Sequence, residues 1–184
     1  MPAPRTALAR ESHRRCVGSG FIVNRHGRPE VWLDLSRLPW RAWHGRLTGI
    51  DRVELAYGRH LLDLCAERLR FTAFDYRSGF RELPRAASET FLRALQDGWS
   101  EDRPDIRRMA RSLFLAGVAP FAPALPTPLQ PRPIWLNVST HPLCQGWAVR
   151  RMLRRTGACF VPLLHDVIPI EHPEYVPRSW TRRH

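Results

Sequence analysis

Lysine is missing from this chain. All 29 basic residues are arginines, set against 17 acidic ones, which leaves a formal net charge of +12 over 184 residues and an isoelectric point near 11.2. Asparagine is almost as scarce, at Asn24 and Asn137 only, while alanine, leucine and proline abound. Such a charge ordinarily points to an anionic partner: nucleic acid, a phosphorylated substrate or a membrane surface. The loss of one basic residue type altogether follows instead the profile of a GC-rich coding sequence. Part of the basicity is therefore codon usage, and specific nucleic-acid binding is not expected.

Paired cysteines are lacking as well. Cys16, Cys65, Cys144 and Cys159 are far apart, with no Cys-x-x-Cys and no histidine at zinc-finger spacing, which argues against a disulfide framework and a structural metal site. Reduced thiols in the cytoplasm are the expectation. The basic N-terminus has no adequate apolar core, because Gly18, Ser19 and Gly20 break the stretch from Val17 to Val23, so it does not make a convincing signal peptide. No apolar run approaches the roughly 20 residues that span a bilayer. Any membrane contact is then peripheral, at the inner face.

What is present fits one domain, since domains usually hold roughly 100 to 200 residues. Residues 1–28, rich in arginine and small side chains without periodicity, predict a disordered basic tail, and 29–184 a single folded unit. Val31 to Leu35 predicts a first strand, and Ser36 to Leu47 a long loop anchored by Trp40 and Trp43. A helix follows, with Val53, Tyr57, His60, Leu61, Leu64, Cys65 and Leu69 on its apolar face and Thr48 with Asp51 as a capping pair at its start. Arg70 to Tyr76 has strand character, and Arg77 to Arg81 reads as a turn into a further short strand. Helices are expected over Ala86 to Gln96 and Asp105 to Leu115. Six prolines between Pro120 and Pro133 make an extended connector. Ile134 to Val138, Gln145 to Arg155 and Ala158 to Leu164 then give strand, basic helix and strand. This alternation predicts an α/β fold, a Rossmann-like parallel sheet flanked by helices.

The last apolar run, Cys159 to Leu164, ends in His165 and Asp166. A short continuous apolar run bounded by turn residues predicts a buried parallel strand, and ligands of open α/β sheets bind beyond the carboxyl ends of such strands. His165 and Asp166 are thus candidate catalytic residues, against the plainer alternative of a strand-end histidine and a turn cap. Gly49, at a predicted helix N-terminus, lets a phosphate approach unpaired amides closely. Thr48, Gly49, Ile50 and Arg52 are candidate substrate-binding residues. Asp51 is better explained as a first-turn carboxylate that complements the helix dipole. Glu171, His172 and Glu174 invite a metal site, but Pro173 and the want of a fourth ligand argue against one.

The segments Thr48-Gly49-Ile50-Asp51-Arg52-Val53 and His165-Asp166-Val167-Ile168-Pro169, together with Leu33 to Leu38 and Ile134 to Val138, resemble the N-terminal half of bacterial family 4 glycosyltransferases. That resemblance covers the chain from about Val31 onward and implies the N-terminal half of a GT-B fold, which pairs two Rossmann-like domains. It implies retaining transfer of a sugar from a nucleotide-diphosphate donor to a polysaccharide or lipid-linked acceptor, with no cofactor and no metal. Thr48-Gly49-Ile50 would face the donor diphosphate, His165 would position and polarise the donor sugar, and Asp166 would orient the histidine or its loop. A chain this short leaves no room for the donor-binding C-terminal half, so the 184 residues are expected to be inactive alone, with that half open to supply in trans. Two alternatives stand beside this: a noncatalytic or split-enzyme binding module, and a basic nucleic-acid-binding domain using Arg150, Arg151, Arg154 and Arg155.

Overall fold

A computed structural model describes residues 28–45, 47–75, 79–98, 103–118, 132–139, 146–165 and 171–175. Five strands form one sheet: β1 (Val31–Asp34), β2 (Leu69–Asp75), β3 (Gly79–Glu82), β4 (Ile134–Asn137) and β5 (Cys159–Pro162), in the order β3-β2-β1-β4-β5. Strands β2, β1, β4 and β5 run parallel, and β3 returns antiparallel along β2. The helices are α1 (Arg37–Trp43), α2 (Gly49–Cys65), α3 (Arg85–Asp97), α4 (Pro104–Val118) and α5 (Gly146–Thr156). The chain has an α/β Rossmann-like fold.

Alternation along the strands sends side chains to two faces. Val31, Leu33, Leu69, Phe71 and Ala73 pack on the first face with Leu38 and Ala42 of α1, Leu55 and Cys65 of α2, Phe91, Leu92 and Leu95 of α3, and Ile106, Ala110 and Leu113 of α4. Trp32, Phe74, Phe80 and Trp135 lie in a second core with Ala148, Val149 and Met152 of α5. Trp135 stacks on Phe160 at 4.7 Å between ring centroids and meets Phe80 edge-on at 4.6 Å, so aromatic rings fill the space that α5, alone among the described helices, covers.

Several sequence expectations need correction. The stretch from Ser36 to Leu47 is not all loop: α1 occupies Arg37–Trp43, with Leu38, Pro39 and Ala42 buried, and Pro39 sits in its first turn, where proline is tolerated. Helix α2 buries Asp51, Glu54, Leu55, Gly58 and Cys65, while Tyr57, His60 and Leu64 of the expected apolar face are exposed and Leu69 belongs to β2. Periodicity in apolar residues cannot recruit two carboxylates and a glycine to a core face. Strand β3 begins at Gly79, inside the expected turn. Strand β5 is parallel, but among the described residues it is the sheet's edge and only half-buried, with Val161 and Leu164 exposed, so the expected buried strand is a partly uncovered one. The expected basic tail over residues 1–28, apart from residue 28, and most of the proline-rich connector lie outside the described residues.

Gly58 is where α2 meets its neighbours. A Cβ there would stand 3.0 Å from Leu92 Cδ1, 3.3 Å from Leu92 Cδ2 and 3.6 Å from Leu33 Cδ2. Gly58→Val is therefore expected to lower stability by roughly 1–3 kcal/mol through overpacking, read as a reduced denaturation midpoint at unchanged slope.

Candidate functional site at the carboxyl edge

Strand order places β1 at the point where the chain reverses direction across the sheet: β2 lies on one side of it and β4 on the other. In open α/β sheets, the crevice beyond the carboxyl ends of the strands at such a point is where ligands bind. Asp34 and Asn137 are the last residues of β1 and β4 there, and both are fully buried.

Helix α2 starts on this same edge, because it returns the chain from the end of β1 to the start of β2. Asp51 holds its first turn in place. Its Oδ2 accepts from the Thr48 amide (2.5 Å) and the Thr48 hydroxyl (2.7 Å), so the expected capping pair forms. Its Oδ1 accepts from Arg37 Nε at 2.9 Å, and Arg41 Nε stands 3.6 Å from Oδ2. Asp51 is thus a buried structural carboxylate. Asp51→Ala is expected to cost roughly 2–4 kcal/mol, since it removes a cap and leaves two arginines facing an empty acid site; thermal unfolding at neutral pH checks this.

With the first turn fixed by Asp51, Thr48 and Gly49 are exposed at its end, and a Cβ on Gly49 would meet nothing within 4 Å. The first amides of this 17-residue helix, which have no intrahelical carbonyl to pair with, thus belong to an exposed helix end. Ile50 is half-buried, and Arg52 is exposed on the flank of α2, beside Arg59 and His60.

His165 lies on the same edge, just past β5. Its Nε2 stands 2.6 Å from the carbonyl oxygen of Val138. A carbonyl only accepts, so Nε2 carries a proton in this contact and Nδ1 is the ring nitrogen it leaves open. The contact also ties the end of β5 to the end of β4, a structural role that the plainer reading of this histidine anticipated. Asp166 lies outside the described residues. Glu171 and His172 are exposed, with His172 Nδ1 3.5 Å from Glu174 Oε1, and no group of three or more metal-ligating side chains occurs among the described residues. Arg150, Arg151, Arg154 and Arg155 of α5 all face solvent.

Between these points lie acids that no sequence motif singles out. Asp34 Oδ1 accepts from the Ser36 amide at 2.7 Å and the Ser36 hydroxyl at 2.5 Å, and the Ser36 oxygen in turn accepts from the Phe74 amide at 2.7 Å. Burial pushes the Asp34 carboxyl up to about 6, with Ser36 and more weakly Asn137 opposing the rise. Burial, reinforced by Asp34 and Asp51 nearby, likewise raises Glu54 well above the usual carboxylate range, although its Oε1 lies 3.4 Å from the Leu38 amide. Asp34 and Asn137 stood within recognisable segments, and the one legible signal was that one of only two asparagines ends a strand. Compared with known protein families, curated proteins and solved structures, the chain matches none.

Proposed function

We propose that the chain is the N-terminal, acceptor-side domain of a retaining GT-B glycosyltransferase, which binds a glycan or lipid-linked acceptor and faces the diphosphate of a nucleotide-sugar donor. One observation carries this reading. The exposed N-terminus of α2 at Thr48 and Gly49 and the histidine His165 share the carboxyl edge of one parallel sheet. Those are the two segments on which the resemblance to family 4 glycosyltransferases rests. Helix N-terminal amides favour the developing charge of a leaving diphosphate, and a histidine held through Nε2 can orient a sugar hydroxyl through Nδ1. Thr48, Gly49, Ile50 and Arg52 serve the diphosphate, and His165 with Asp166 the transferred sugar.

The four exposed arginines of α5 offer a nucleic-acid reading less support than this edge offers sugar transfer. A composition without lysine already accounts for them, and a solvated helix face needs no partner. No described helix is long and apolar enough to cross a membrane, so a lipid-linked acceptor would be met at the membrane surface.

The test is a transfer assay on two proteins: the 184-residue chain, and the same chain fused to a GT-B donor-binding domain. Hydrolysis or transfer from UDP- and GDP-sugars is expected from the fusion alone. Turnover by the unfused chain, or none by a folded fusion with any donor, counts against the proposal.

A further inference from the structure

Trp40 is 42% exposed on α1, although indoles are on average well covered in folded chains. Its ring is not loose. His44, one helical turn on, lies against it at 4.4 Å between ring centroids and 33° between planes, and His44 Nδ1 donates to the Trp40 carbonyl at 2.7 Å. One face of the indole is thus braced. The guanidinium carbon of Arg41 stands 6.0 Å from the ring centre, at the outer limit of a cation–π contact, so it flanks the ring rather than covering it. The exposure therefore falls on the face turned away from His44. Arg41 also reaches Asp51, with Nε 3.6 Å from Oδ2, and Asp51 caps Thr48. Trp40 stands one side chain away from the start of α2, at the same carboxyl edge as the candidate site.

We propose that Trp40 is the platform on which a pyranose ring of the glycan acceptor stacks. The inference rests on the sugar-transfer reading above, which assigns the diphosphate and the transferred sugar to named residues and the acceptor to none. The kind of surface selects the ligand. Among the described residues, neither α1 nor the first two turns of α2 exposes another large apolar side chain, so this patch is a single ring. A stable protein partner would need about 800 Å² on each side. A pyranose needs one ring. Its axial C–H bonds carry partial positive charge and suit the negative face of an indole, while its hydroxyls stand around the rim. There the indole N–H, which donates to no described residue, and the partly exposed guanidinium of Arg41 can each donate to a hydroxyl. Because His44 already holds the ring, little side-chain freedom is lost on binding.

Nitrogen-15 NMR of the indole signals of the full chain tests this, with the methyl β-glycosides of glucose, galactose and N-acetylglucosamine and the methyl α-glycoside of mannose as probes. The signals lost in Trp40→Phe and in Trp147→Phe identify those two indoles, and Trp147, 53% exposed on α5, is the control for mere exposure. At least one glycoside is expected to shift the Trp40 signal saturably while leaving that of Trp147 in place. By saturation-transfer NMR, Trp40→Ala is expected to weaken the apparent Kd roughly tenfold or more, and Trp40→Phe, which keeps a flat ring, by no more than about threefold. The Trp40 ring lies outside both cores, so neither variant is expected to lower Tm appreciably. The platform is overturned if no glycoside shifts the Trp40 signal, if the Trp147 signal shifts equally, or if Trp40→Ala binds as well as the native chain. Uridine or guanosine shifting that signal where no glycoside does overturns it too, and makes Trp40 a base-stacking residue. The fusion separates this from the transferase reading, with the bound glycoside as acceptor: transfer with an unchanged acceptor KM in Trp40→Ala sinks the platform alone, whereas glycoside binding at Trp40 without transfer by the fusion upholds the platform and sinks the reading.

Discussion

Asp34→Asn is expected to stabilise the folded chain by about 3 kcal/mol above pH 6. The magnitude follows from the rise of the Asp34 pKa from 3.8 to about 6, at roughly 1.4 kcal/mol per unit. With the folded-state pKa above the unfolded one, the native chain binds the proton more tightly than the unfolded chain does. The cost of holding Asp34 ionised is therefore absent below about pH 4, grows as pH rises from 4 to 6, and is complete above 6. Glu54, also raised, extends the same trend upward. Asparagine keeps an oxygen to accept from the Ser36 amide and hydroxyl and carries no charge to desolvate. The difference in unfolding free energy between Asp34→Asn and the native chain should thus be near zero at pH 4 and maximal at pH 7 to 8, measured by urea denaturation across that range. A difference independent of pH, or of opposite sign, would show that Asp34 is not held ionised at a cost.

The second large effect concerns turnover. In the fusion with a donor-binding domain, His165→Ala is expected to lower kcat on the order of 100-fold while costing only about 1 kcal/mol of stability, the worth of its single bond to the Val138 carbonyl. Gly49→Val should act differently. Space for the new side chain is open, so the fold tolerates it, but a branched group over the first amides of α2 keeps the diphosphate away. The donor KM should rise about tenfold or more together with slower transfer. Full activity in His165→Ala with a sharply lower melting temperature would make the histidine a strand tie and nothing else.

How far the sequence discloses this site depends on which forces act locally. The α2 start was legible because Thr48 and Asp51 cap within one turn, and the parallel sheet was legible because strand and helix patterns alternate. Helix α1 was not, since seven residues with a proline and two tryptophans carry no clear period; its stability comes from Leu38 and Ala42 packing into the core. The exposure of β5 was hidden because an apolar run looks alike at the centre and at the edge of a sheet. Asp51 and Glu54 point inward against every apolar pattern, and only the arginines of α1 and the amide of Leu38 explain why they can. Asp34 and Asn137 become neighbours through a crossover of about 100 residues, a juxtaposition that no local pattern contains.

The most direct test of the central claim is a nitrogen-15 amide NMR titration, with UDP and with GDP, of the chain fused to a GT-B donor-binding domain. Diphosphate capture at the start of α2 predicts that the largest shifts fall on the amides of Gly49 and Ile50, with a smaller response at His165, and that Gly49→Val abolishes them. Shifts centred instead on Arg150, Arg151, Arg154 and Arg155, reproduced by heparin and erased by moderate salt, would contradict the account and make the chain a nonspecific polyanion binder.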